Sequence, residues 1–330
     1  MTPRNIISYF NDVQTEKRQL SSNWLLIHNE KSYQDYKHQS YLSLILSLLP
    51  LFLISVIHLS ITMNGYYIGH LFLTISYLLS ICFFILYFYN SYTIFVLFVF
   101  FSFIISLCLH EFSHALVAYK YGDITMVYKG YLYLDILNYL DIFHTLVIPL
   151  VTLFITGFGI PGNLYWLQLH FIRSRFQLSF IFLSGPISDI LYILLFVSFY
   201  NMYKFFKNNK KFNVKPHPAL FISLATSISF LVESFLLNIC PILGFDGWGI
   251  IEPYLPCFLN DLINEEIVYN FLSYVCPLLV FIYFNFIETK FLFFTKITNY
   301  ILQDLLGIAI YHAAYGADSF PTLYSYLKKL

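Results

Sequence analysis

The run YTIFVLFVFFSFIISLCLHEFSHALVA, residues 92–118, decides how this chain is read. It is apolar almost without interruption until His110, where His110, Glu111 and His114 arrive together. Upstream of it, no Asp, Glu, Lys or Arg occurs between Lys37 and Glu111. An ionisable group set deep in apolar sequence is costly unless something compensates it. A metal ion is the compensation that fits. Residues four apart lie on the same helix face, so His110 and His114 stand one above the other. Two neutral imidazoles so placed can bind one zinc, with Glu111 close enough to act on an attacking water. Chance matches to HExxH usually fall on soluble, solvated helices, and a charge-free apolar tract is a poor setting for chance.

Composition sets the class. The chain has 330 residues, of which 58% are hydrophobic, 21% aromatic and 11% charged. A soluble domain of this size carries about 25% charged residues, so there is too little charge here to solvate a globular surface. The expected fold is an all-α polytopic membrane protein, integral and multi-pass, with about six to eight transmembrane helices. The formal net charge is zero, and no basic patch points to nucleic acid. The five cysteines, Cys82, Cys108, Cys240, Cys257 and Cys276, are irregularly spaced and form no CxxC pair. They read as small buried hydrophobes, with Cys108 and Cys240 near enough to the motifs to pack beside the site.

Taken in order, residues 1–40 are a polar tail of mixed charge with no cleavable signal peptide expected. Residues 41–91 hold two apolar spans, at about 41–60 and 70–89, separated by Asn64-Gly65. Residues 92–256 hold the histidine motif and the apolar runs that follow it. The first helix there ends at Tyr121-Gly122-Asp123. The following ITMVYKGYLYLD, residues 124–135, alternates around Gly130 and reads as a short β-hairpin or an ordinary extramembrane loop. A hairpin there would offer a strand edge to an extended peptide. Further apolar runs lie at about 143–158, 177–203 and 217–239, the second holding Ser184-Gly185-Pro186-Ile187-Ser188-Asp189, a packing kink on its own terms. Residues 257–330 are C-terminal spanning or interfacial helices, with a span at 267–288 and an interrupted apolar stretch at 291–310. Lys204, Lys207, Lys210, Lys211 and Lys215 mark a cytoplasmic loop. Counting spans from a cytoplasmic N-terminus reaches that loop with the wrong parity, so either the N-terminus is outside or one apolar run does not cross.

A zinc hydrolase uses three protein ligands and one open position. Asp246 is the first choice for the third, because Pro241 ends a helix before it and Gly244 and Gly247 allow a sharp turn around it. Glu233, an acidic residue inside a span, is the rival, either as ligand or as the group that orients a histidine. His144 has no spacing partner and reads as structural, with a gate or transient ligand as the alternative.

With these motifs in hand, the chain resembles the site-2 proteases, zinc metalloproteases that cut substrates within the membrane. HEFSHA at 110–115 and NICPILGFDG at 238–247 carry the resemblance, the second fitting N-x-x-P-x-x-x-x-D-G. Gly185-Pro186 matches a Gly-Pro motif between them, and KGYLYLD (129–135), GIPGN (159–163) and RSR (173–175) look like a bacterial-type branch. The likeness covers about residues 95–256. It implies that His110, His114 and Asp246 hold one zinc per chain, that Glu111 is general base and proton shuttle, and that Asn238 positions substrate or the oxyanion. The partners it implies are a membrane-protein substrate helix and the lipid bilayer, with no inserted PDZ-like or CBS-like module expected. Two other readings compete. An HExxH membrane protease of the prenyl-protein processing type would use a downstream Glu as ligand. A non-enzymatic metal-binding scaffold or transporter would keep the fold without hydrolysis.

Overall fold

The computed structural model describes residues 69–88, 91–134, 174–208, 218–256 and 293–310, with isolated positions between and beyond them. Expectations for the N-terminal tail, most of the first apolar stretch, the 143–158 run, His144, GIPGN, the lysines after Lys207, Cys257 and most of the 267–288 span lie outside the described residues.

Everything regular among the described residues is helical. Helix α1 is His70–Phe88 and α2 is Tyr92–Lys120. A one-turn helix α3, Thr125–Tyr128, follows, and then the long α4, Arg175–Asn208, which continues through Pro186. Helix α5 is Pro218–Asn238, α6 is Asp246–Ile251 running into a 3-10 turn at Glu252–Tyr254, and α7 is Phe293–Tyr300 running into a π-helical turn at Ile301–Leu305. Three segments among the described residues are long and apolar enough to cross a membrane: Thr93–Lys120, Arg175–Phe206 and Ala219–Asn238. Phe72–Tyr87 is a shorter apolar helix. Lys204 and Lys207, read as loop residues, extend the last turns of α4 instead.

Helix α2 is the central post, packed against α1, α4 and α5. Aromatic rings fill the far end from the histidines: Phe83 meets Phe98 at 6.1 Å and Tyr203 at 5.6 Å, and Phe98 meets Phe196 at 6.1 Å. Such tilted pairs add about 0.5–1.5 kcal/mol each beyond their burial. Small polar groups let α2 and α5 approach, with Ser102 Oγ donating to Ser227 Oγ at 3.0 Å, both buried. That is the hydrogen-bonded, small-residue contact that spanning helices favour. Tyr77, Leu78, Ile81 and Phe84 on α1 and Ile187, Ile190, Leu191 and Leu194 on α4 are exposed apolar stripes. In water they would be a liability; in lipid they are the natural outer face.

The segment after α2 differs from the hairpin reading. Gly122 has φ 109°, its N–H donates to Tyr119 O, and Asp123 N–H donates to Ala118 O. That double closure ends α2 in a Schellman motif. Asp123 then turns its carboxylate onto Thr125 N–H at 3.0 Å and starts α3. A second Schellman motif ends α3: Gly130 has φ 72°, Gly130 N–H donates to Val127 O, and Tyr131 N–H donates to Met126 O. Met126 is fully buried and Tyr131 packs on the same small cluster. A glycine at positive φ serves a hairpin turn or a helix cap equally well. Here the cap wins because Asp123 nucleates the turn and Met126 anchors it. Residues 125–134 therefore hold a helical turn and turns, with no strand among them; residues 135–141 lie outside the described residues.

Candidate metal centre

Two helices and one tight turn build the site. Helix α2 supplies His110, Glu111 and His114, all buried, and the start of α6 supplies Asp246. The turn before α6 is fixed by its own backbone. Cys240 N–H donates to Leu237 O, Phe245 N–H to Ile242 O, and Gly244 has φ 92°. A Cβ at Gly247 would come 2.3 Å from the carbonyl oxygens of both Ile239 and Cys240, so only glycine fits. Phe245 and Leu237 pin the turn from below in a small apolar cluster with Ile242 and Phe294. Helix α6 is held to α4 by Ser179 Oγ, which donates to Ile250 O at 2.7 Å, and by Gly249, which lies against the Phe182 ring.

The two histidines point their Nε2 atoms at one another, 3.0 Å apart. Asp246 Oδ2 lies 2.9 Å from His110 Nε2, and Asp246 Oδ1 lies 3.3 Å from His114 Nε2. One ligand atom from each of the three residues falls within 4.8 Å of the others. Behind the rings, His110 Nδ1 meets Asp189 Oδ2 at 2.8 Å, and His114 Nδ1 meets Ile181 O at 2.7 Å. A carboxylate and a carbonyl only accept, so both Nδ1 atoms must donate. In neutral imidazoles this leaves lone pairs on both Nε2 atoms, facing a carboxylate that also only accepts. Asp246 Oδ2 is buried with no hydrogen-bond donor. Three converging acceptors with no proton among them are the donor set of a cation, and two imidazoles with a carboxylate are a zinc set with room for a fourth position.

The structure brings together His110, His114 and Asp246, with Glu111 one residue along the same helix. Asn238 is the buried last residue of α5, at the base of the turn that delivers Asp246. Glu233 does not join the group: its carboxylate accepts from Ser229 Oγ at 3.2 Å, one turn away on α5. Among the described residues, the carboxylate that stands behind a histidine, at Nδ1, is Asp189 instead. Cys108 is a buried member of the main core, as expected, whereas Cys240 is only partly buried and its Sγ donates to Leu236 O.

Gly185 carries more than a kink. A Cβ there would lie 2.3 Å from His114 Nε2 and 2.6 Å from His110 Nε2. Helix α4 passes so close to the ligand atoms that only a hydrogen fits. Neither ring can retreat, because each is tethered at Nδ1. Gly185→Ala is expected to abolish zinc uptake, and as an overpacked core substitution to cost about 1–3 kcal/mol of stability. Metal content of the purified variant beside its melting temperature checks this; wild-type zinc content would contradict it. The sequence signal for Asp189 was present, an acidic residue in an apolar span, but nothing in the sequence said which of Asp189 and Glu233 faced a histidine.

The described residues thus hold an HExxH helix whose two histidines and Asp246 form a buried group that could hold a metal ion, beside helices long and apolar enough to cross a membrane. Comparison with known proteins narrows this. A Mycolicibacterium smegmatis protein named "Putative zinc metalloprotease Rip2" is 34% identical over 153 residues, covering 46% of this chain and 55% of that protein. A Mycobacterium tuberculosis protein of the same name is 28% identical over the same length. The Bacillus subtilis protein "Putative zinc metalloprotease YwhC" is 27% identical over 226 residues, 67% of this chain and 88% of its own length. The chain is similar to these proteins and spans about half the length of the first relatives it matches. No family model matches the chain, and no solved structure matches it. The relatives are named as putative zinc metalloproteases, and His110, His114 and Asp246 form a group that could hold a metal ion.

Proposed function

We infer that this chain is an intramembrane zinc metalloprotease of the site-2 type, hydrolysing peptide bonds in or near transmembrane segments of membrane-protein substrates. The observation that carries the reading is the convergence of His110, His114 and Asp246 with both Nδ1 atoms already committed to acceptors. On this reading the three side chains hold one zinc per chain. Bound there, zinc would supply Lewis acidity toward water and the scissile carbonyl. Glu111 takes a proton from the attacking water and returns it to the leaving amine as the peptide C–N bond breaks. Asn238 positions the substrate backbone or the developing oxyanion. Glu233 lies against Ser229 and outside the His-His-Asp group, which favours this reading over the prenyl-protein processing one.

Depth supports the intramembrane part. His110 lies ten residues before Lys120 at the end of α2, which at about 1.5 Å per residue is ~15 Å along the helix. In a hydrocarbon layer of about 30 Å that is close to the middle. The whole protein is read as multi-pass, with six to eight spans, its partners being the bilayer and a substrate helix. Such a helix must unwind locally before attack, because its carbonyls are otherwise engaged in hydrogen bonds.

The test uses the full chain purified in detergent with a panel of single-span membrane peptides. The expected result is about one zinc per chain, cleavage that stops with 1,10-phenanthroline and returns with added zinc, and cut sites mapped by mass spectrometry inside the apolar segment. Cleavage indifferent to chelation would sink the zinc reading, and cuts confined to polar flanks would sink the intramembrane one.

A further inference from the structure

Asp189 sits one helical turn beyond Gly185 on α4, and the two residues handle opposite ends of one imidazole. Gly185 makes room at His110 Nε2, while Asp189 Oδ2 holds His110 Nδ1 at 2.8 Å. The other oxygen, Asp189 Oδ1, accepts from Ser106 Oγ at 3.3 Å, and Ser106 lies one turn before His110 on α2. The carboxylate is therefore bracketed by two groups of the same helix. Among the described residues its polar partners are these two, and neither is a Lys or Arg. Asp189 itself is buried, at 4% exposure. The two histidines differ in this respect, since His114 donates to the neutral carbonyl of Ile181.

A carboxylate in an apolar bundle with only neutral donors is expensive. A divalent cation on the far side of the His110 ring changes that. Asp246 and Asp189 then each bring negative charge toward it, one in contact with the cation and one through an imidazole.

We propose that Asp189 is a positioning residue of the metal centre: it locks His110 with Nε2 toward Asp246 and adds negative charge behind the ligands that strengthens the buried site's hold on a divalent cation. The proposal rests on the zinc reading of the site. Its content is separable from a shape requirement, because asparagine keeps the size and can still accept from Nδ1–H but lacks the charge. Outer partners of ligating histidines typically govern about 10–100-fold in metal affinity.

The experiment measures zinc Kd by chelator competition, and the visible spectrum of the cobalt-loaded form, for the full-length wild type, Asp189→Asn and Asp189→Ala. The expected order of affinity is wild type, then Asp189→Asn, then Asp189→Ala, the last weaker by about 10–100-fold, with the cobalt bands of Asp189→Asn displaced from those of the wild type. A merely structural residue would move the melting temperature and leave the asparagine spectrum alone. A wild-type chain that takes up no zinc overturns the metal reading and this proposal with it. A wild-type chain that binds zinc, beside an Asp189→Asn variant with the same Kd and the same cobalt spectrum, overturns the positioning role alone. Asp189→Asn preserves side-chain volume, so the test stands even where Asp189→Ala fails to fold.

Discussion

Glu111→Gln is expected to lower kcat/KM for peptide cleavage by about 10²–10⁴-fold, the range for loss of a general base, while zinc content stays at the wild-type level. Glutamine has the shape of the buried glutamate but cannot take the proton from water. The zinc should remain because the group of converging ligand atoms is His110, His114 and Asp246, and Glu111 is not a member. Zinc analysis and cleavage kinetics on the same preparation separate the two effects. The variant should also retain uncut substrate, which mass spectrometry of co-purified membrane proteins would identify. Full cleavage by Glu111→Gln would remove Glu111 from the chemistry, and full biological activity without any cleavage by the wild type would favour a scaffold.

The second large effect falls on metal rather than chemistry. Asp246→Ala removes one of three protein ligands, so its zinc Kd should weaken by more than the about 10–100-fold that losing an outer partner costs. The turn that carries residue 246 should survive, because it is fixed by Gly244 at φ 92° and by the close seat of Gly247 on the Ile239 and Cys240 carbonyls, not by the aspartate. Melting curves with and without zinc give the readout. At free zinc about 1,000 times Kd, a ligand that binds only the folded state adds ~4 kcal/mol. The wild type should show that gain and Asp246→Ala should lose it. An Asp246→Ala protein that still melts higher with zinc would move the third ligand elsewhere.

The legible part of this site was its local part. HEFSH specifies a helix face from spacing alone, and the uncharged run before it makes a solvated surface site implausible. The sharp turn around Asp246 was readable too, because Pro241, Gly244 and Gly247 are backbone instructions. Gly130 shows where such instructions run out. Positive φ was the correct demand, but a hairpin and a Schellman cap make the same demand. What chose between them was the Asp123 carboxylate accepting from Thr125 N–H ahead of the turn and Met126 burying beneath it. Gly185 shows the same limit. As sequence, Gly-Pro in a span is a kink; in space, the glycine is the gap into which two imidazoles fit.

The choice between Asp189 and Glu233 was closed to sequence altogether. Both are acidic residues in apolar helices, with the same burial penalty and the same need for a partner. Which one meets His110 depends on how α4 and α5 rotate against α2, and that rotation is set by the packing of many apolar side chains at once. The sequence by itself determined a membrane-type helical chain, a two-histidine helix face and a turn able to aim a carboxylate, because composition, i to i+4 spacing and backbone stereochemistry are local properties. Tertiary structure brought the Asp246 carboxylate to both histidines, as the sequence had led us to expect, and alone decided that Gly185 lies against their Nε2 atoms and that Asp189 stands behind His110, because those facts depend on distances between helices far apart in the chain.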